Sequence, residues 1–131
     1  MKCKIAALAA VLAVAGCGSV HDRAAAADDV AVRLLTAVEA RDGDTACATL
    51  APDTLAQLEE SAGQPCAEAI LDENLPRPGD VTGTAVYGQW AQVKLSSDTL
   101  FLAVFPGGWR VVAAGCTPRP ERPYDCTLTK G

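Results

Sequence analysis

Histidine is nearly absent from this 131-residue chain, with His21 the only one. That removes the general base which serine and cysteine nucleophiles usually need. No two cysteines stand in C-x-x-C spacing, so a tetrahedral zinc site lacks its ordinary ligand set. Eleven Lys and Arg residues face sixteen Asp and Glu residues, which is the reverse of the clustered basic surface that nucleic acid requires. The glycines around Gly79 to Gly83 and at Gly107-Gly108 come without a P-loop lysine. Aromatic residues make up only 5% of the chain. Long apolar runs are missing too: the stretch Ile5 to Val14 is ten residues, about half the roughly 20 that a membrane-spanning helix needs. No cofactor site follows from these residues.

What that short run does have is informative flanks. Met1-Lys2-Cys3-Lys4 places positive charge ahead of it, and Val14-Ala15-Gly16-Cys17 follows with small residues and a cysteine. A charged start, an apolar middle and a small-residue cleavage site form a secretory signal. The segment Val14 to Cys17 resembles the lipobox of bacterial lipoproteins. That resemblance implies cleavage after Gly16 and a diacylglyceryl group on the Cys17 thiol. Two acyl chains give a durable anchor, because each buried methylene contributes about 0.8 kcal/mol. The chain then divides into a signal at 1–16, a lipidated N-terminus and tether at 17–25, and a single domain at 26–131. A tether of that length reaches roughly 25–30 Å, so the domain should ride close to the extracytoplasmic face of the membrane.

Without the signal, nine basic residues face sixteen acidic ones over 115 residues, a normal size for one domain. Asp28 to Asp80 holds twelve of the acids against Arg33, Arg41 and Arg77, which reads as a solvated helical surface. Four cysteines remain: Cys47, Cys66, Cys116 and Cys126. An even number in an exported domain implies disulfides. Three pairings are open, and Cys47–Cys66 with Cys116–Cys126 is expected because each closes a modest loop within one half of the domain.

Ala27, Val30, Ala31, Leu34, Leu35 and Val38 recur at three- and four-residue spacing and predict a helix from Ala25 to Arg41. Gly43 is its expected stop and Asp44 the expected cap of a short helix over Thr45 to Leu50. Further helices are expected over Thr54 to Ser61 and from Pro65 to near Asn74. Pro76, Pro78 and Gly79 mark a change to strand patterning. Strands are expected at Val81 to Tyr87, Trp90 to Leu95, Thr99 to Phe105 and Trp109 to Ala114. Gly88-Gln89 suits a type II′ turn, and Asp98 at the next turn should be solvated. The tail from Gly115 is proline-rich, with a short edge strand at Thr127 to Thr129. Helices followed by strands predict an α+β domain: helices packed on a curved, four-stranded antiparallel meander, stapled by disulfides.

That order of elements resembles the NTF2-like (cystatin-like) fold. More narrowly, the chain is similar to small lipoproteins of unknown function from high-GC actinobacteria. The resemblance rests on Arg41-Asp42-Gly43-Asp44 with Cys47, on Gly63 to Ala69, on Gly108-Trp109-Arg110-Val111 leading to Cys116, and on Pro123-Tyr124-Asp125-Cys126. These are structural motifs, so the expectation is a non-enzymatic binding or interaction module of the cell envelope. Its partners would be the membrane, through the lipid, and an envelope protein or a small apolar ligand. The NTF2-like resemblance also implies an alternative, a small pocket enzyme of the ketosteroid-isomerase type drawing on Tyr87, Asp98, Tyr124 or Asp125. Trp90, Phe101, Phe105 and Trp109 are expected to pack the core and sheet face, or else to line a concave cavity between the sheet and the first helix.

Overall fold

The computed structural model describes residues 19–131. Cys17 and the expected signal at 1–16 lie outside the described residues. Helix α1 runs Val20–Glu39, α2 Gly43–Ala48, α3 Pro52–Ala62 and α4 Cys66–Ala69, with a 3₁₀ turn at Ile70–Asp72. Strands follow: β1 Val81–Tyr87, β2 Trp90–Leu95, β3 Thr99–Phe105, β4 Gly108–Arg119 and β5 Arg122–Leu128. The domain is α+β, and its sheet has sequential order β1-β2-β3-β4-β5, all antiparallel.

Helix α1 starts at Val20, so most of the stretch expected as tether is helix. The Ser19 side chain accepts a hydrogen bond from the Asp22 N–H at 3.2 Å, which caps the first turn, and Ala24 to Ala27 supply strong helix formers behind it. Ala27, Ala31, Leu34 and Leu35 turn inward and are fully buried. The helix stops two residues earlier than Gly43 would place it, because Arg41 itself adopts the left-handed conformation with φ 60°. Asp42, not Asp44, then caps α2, accepting from the Thr45 N–H at 3.1 Å and the Thr45 hydroxyl at 2.6 Å. Gly43 has a different task from ending a helix. A Cβ there would lie 2.0 Å from the Ala67 carbonyl oxygen, so its lack of a side chain permits α2 to touch α4. Pro65 likewise stands just ahead of α4 as its N-cap, with extended ψ of 148°.

The sheet has five strands, not four. The tail from Gly115 is mostly strand, and three prolines hid it from the pattern. Pro118 falls in the register irregularity between Thr117 and Arg119, where no ladder bond is required of it. Pairing of Cys116 with Cys126 and of Thr117 with Asp125 fixes the hairpin. At the β1–β2 turn Gly88 has φ 56° while Gln89 does not take a positive value, as a type II′ turn requires.

One hydrophobic core joins α1, α2, α3 and α4 to the sheet. Leu34, Leu35 and Ile70 meet Val93, Leu100, Leu102 and Val111, all essentially inaccessible to solvent. Leu128 from β5 enters the same cluster, which holds the carboxyl-terminal strand down. The disulfide Cys47–Cys66 ties α2 to the start of α4 with a Cα separation of 6.1 Å. Cys116–Cys126 bridges β4 and β5 at 3.9 Å.

Candidate binding surface

Cross-strand partners share a face of a sheet. Tyr87 pairs with Trp90 and Trp90 with Ala103, while Ala85 pairs with Gln92 and Gln92 with Phe101. These six residues therefore stand on one side, and Ala91, Val93, Leu100 and Leu102 point the opposite way into the core. The outer side keeps its aromatics near solvent. Tyr87 is 67% and Trp90 49% exposed, and Phe101, Phe105 and Tyr124 are half-buried.

Strand β5 completes this face. The Tyr124 ring meets Phe101 edge-on with centroids 5.1 Å apart, and the Gln92 side-chain amide donates to its hydroxyl at 3.3 Å. The Lys130 ammonium lies 5.9 Å from the Trp90 ring centroid, a cation–π approach. Small residues at Gly83 and Ala85 leave a shallow depression of about 290 Å³ bordered by Tyr87, Gln92 and Lys94. The result is an aromatic surface with an amide and two cations at its border, suited to a partner that presents apolar groups and negative charge.

The inner side of the sheet is packed against the helices. The space between α1 and the sheet, where an apolar pocket was one expectation, is filled by the side chains of the core. Two open grooves flank α1. One of about 320 Å³ lies between Ala26, Val30 and Arg33 and the β3–β4 turn. The other, of about 410 Å³, lies between α1 and Asp42 and Thr45. Trp109 is buried, with the Arg23 guanidinium 5.4 Å from its ring centroid.

Asp98 departs from its expected place in water. Its side chain is buried and accepts backbone hydrogen bonds from Thr99 at 2.7 Å, Gly115 at 2.8 Å and Cys116 at 2.9 Å. The β2–β3 turn is thereby clamped against β4. Burial pushes its carboxyl above the usual range, while the three N–H donors pull the other way. Asp42 goes in the opposite direction: the Thr45 hydroxyl and N–H hold it below the ordinary value.

The four residues considered for pocket chemistry are not gathered. Tyr87 is at a hairpin tip beside Trp90, Asp98 is committed to three amides, Tyr124 lies on Phe101, and Asp125 is exposed opposite Thr117. All four domain cysteines are in disulfides. No group of three or more metal-ligating side chains occurs among the described residues. Sequence reasoning missed Arg23 and Lys130, whose significance comes from stacking on distant tryptophans. A possible clue to the Asp98 clamp, Gly115 next to a cysteine, is too common to read without the fold. No protein-family profile, curated protein or solved structure matches the chain; the geometry carries the functional argument by itself.

Proposed function

We propose that this chain is a lipoprotein held by Cys17 on the extracytoplasmic face of the cell membrane, where its domain is a non-enzymatic interaction module of the cell envelope. The observation that carries the interaction role is the aromatic outer face of the sheet, with Tyr87 and Trp90 exposed side by side. Isolated exposed apolar residues are ordinary, but clustered aromatics at a polar border are the composition of a contact surface. Two disulfides suit an oxidising compartment outside the cytoplasm, in keeping with the signal ahead of Cys17. Among the described residues no helix is long and apolar enough to cross a membrane, so on this reading the lipid is the attachment. Helices packed on one side of a sequential antiparallel sheet support the NTF2-like (cystatin-like) relationship, and the alanine-rich composition supports a high-GC actinobacterial source.

Labelling of cells with a fatty-acid analogue tests the anchor. The wild type should be tagged, and Cys17→Ser should be untagged and retain its signal. Equal labelling of the two would remove the lipid assignment. A photo-crosslinker placed at Ala85, on the outer face, should capture an envelope protein. Capture from a site on exposed α3 instead would move the interaction surface.

A further inference from the structure

Helix α1 runs antiparallel to β1, and the contacts along it fix which end of the molecule is which. Arg23 donates to the Gly88 carbonyl at the β1–β2 turn, Asp28 accepts from the Thr84 hydroxyl, and Glu39 pairs with Arg77 at 3.7 Å, ahead of β1. The Val104 N–H donates to the Gln89 carbonyl at 2.9 Å, which brings the end of β3 to the same place. The start of α1, the β1–β2 turn and the β3–β4 turn thus form one end of the domain.

That end is where apolar surface is exposed. Among the described residues five large apolar side chains are prominently exposed: Val20 at 68%, Tyr87 at 67%, Trp90 at 49%, Val81 at 41% and Val104 at 37%. All except Val81 belong to the α1 end. Arg23, Arg110 and Lys130 are also there, against the acid Asp22. The opposite end has Glu39, Asp42 and Asp80 with Arg41 and Arg77, and the β4–β5 turn adds Arg119, Glu121 and Arg122 there. Charge of both signs is found at that far end, so what distinguishes the end where α1 begins is its exposed apolar side chains with three cations beside them.

Chain length identifies what meets this end. Cys17 precedes the helix cap Ser19 by two positions, and a residue spans at most about 3.5 Å, so the two Cα atoms are at most roughly 7 Å apart. If Cys17 carries acyl chains, they enter the bilayer beside the exposed aromatics. Trp and Tyr favour the headgroup level of a membrane, and cations near the surface are drawn to anionic lipid. We infer that the α1 end of the domain lies against the membrane surface, with Tyr87 and Trp90 seated at headgroup depth and Arg23, Arg110 and Lys130 facing anionic lipid. This inference rests on the proposed lipidation of Cys17 and names what covers one end of the outer face.

The two tryptophans make a direct test, because Trp90 is exposed and Trp109 is buried. The full-length lipidated protein is reconstituted in phosphatidylcholine–phosphatidylglycerol vesicles whose acyl chains carry bromine close to the glycerol. Emission should be quenched relative to unbrominated vesicles, and the quenching should be lost in Trp90→Phe, whose melting temperature should match the wild type. Tyr87→Ser, a second exposed position, should weaken the quenching, as should Lys130→Gln. Unquenched wild-type emission overturns the docking, as does quenching that persists in Trp90→Phe. So does a photo-crosslink from position 90 that goes to a protein instead of lipid. The mass of the N-terminal peptide separates the two readings. A lipidated chain with unquenched Trp90 defeats the docking alone, whereas a chain without the lipid defeats both.

Discussion

Asp98 is the residue whose chemistry depends most on the fold. Two of its partners, Gly115 and Cys116, are far along the chain, and their N–H groups would have no acceptor if the carboxylate were absent. Leaving buried donors unpaired costs about 1–3 kcal/mol. Asp98→Asn keeps the shape but turns an amide N–H₂ toward these donors, so it should lower stability by about that amount. The pH dependence has a definite sign. Burial raises the folded-state pKa of Asp98 above its ordinary 3.8, so the folded protein takes up the proton before the unfolded chain does as pH falls. The stability linked to this group is fully present below the ordinary value and is lost as pH rises through the raised one. The advantage of wild type over Asp98→Asn should therefore grow between pH 7 and roughly pH 4. Urea unfolding of both proteins across that range decides it, and an advantage that shrinks on acidification would contradict the burial account.

At the scale of elements the two disulfides have different work. Cys47–Cys66 spans 19 residues and joins α2 to α4, both packed in the central core. Cys116–Cys126 spans 10 residues between strands already held in register, and the hairpin beyond it is largely exposed. Replacing Cys47 and Cys66 with alanine should cost about 2–5 kcal/mol and be seen as a lower melting temperature of the whole domain. Replacing Cys116 and Cys126 should cost less. Its signature should be faster amide exchange confined to residues 117–125, since Leu128 still anchors the strand in the core. Equal losses from the two pairs would show that the hairpin is part of the cooperative unit. Three strands had their bounds written in alternating residues and turn glycines, and α1's buried stripe was equally plain. The fifth strand was not, because Pro118, Pro120 and Pro123 are read locally as breakers while the register that accommodates them is a long-range property. Tyr87 and Trp90 were legible as strand aromatics. Which of the aromatics stay in water depends on strand order and on the side that α1 covers.

For the molecule as a whole, the decisive length is the one between Cys17 and Ser19. A tether reaching to Ala25 would have let the domain stand off and tumble; a helix capped at Ser19 leaves only Gly18 between the proposed anchor and the helix cap. On the proposed anchoring, orientation would then follow from continuity of structure, with the aromatic end where α1 begins held down and the β4–β5 turn directed outward. Inserting ten Gly/Ser residues between Gly18 and Ser19 should break that coupling, because such a linker has a root-mean-square reach of roughly 16–19 Å. Lipidation and folding should be unchanged, while brominated-lipid quenching of Trp90 should fall if the aromatics depend on the short anchor for their local concentration at the surface. Anisotropy decay of Trp109, buried and reporting on the body of the domain, should gain a fast tumbling component in the inserted protein that the natural chain lacks on the same vesicles. Identical decays for the two chains would mean that the domain is held to the membrane independently of the anchor length, and that the spacing of Cys17 from α1 has no part in setting its orientation.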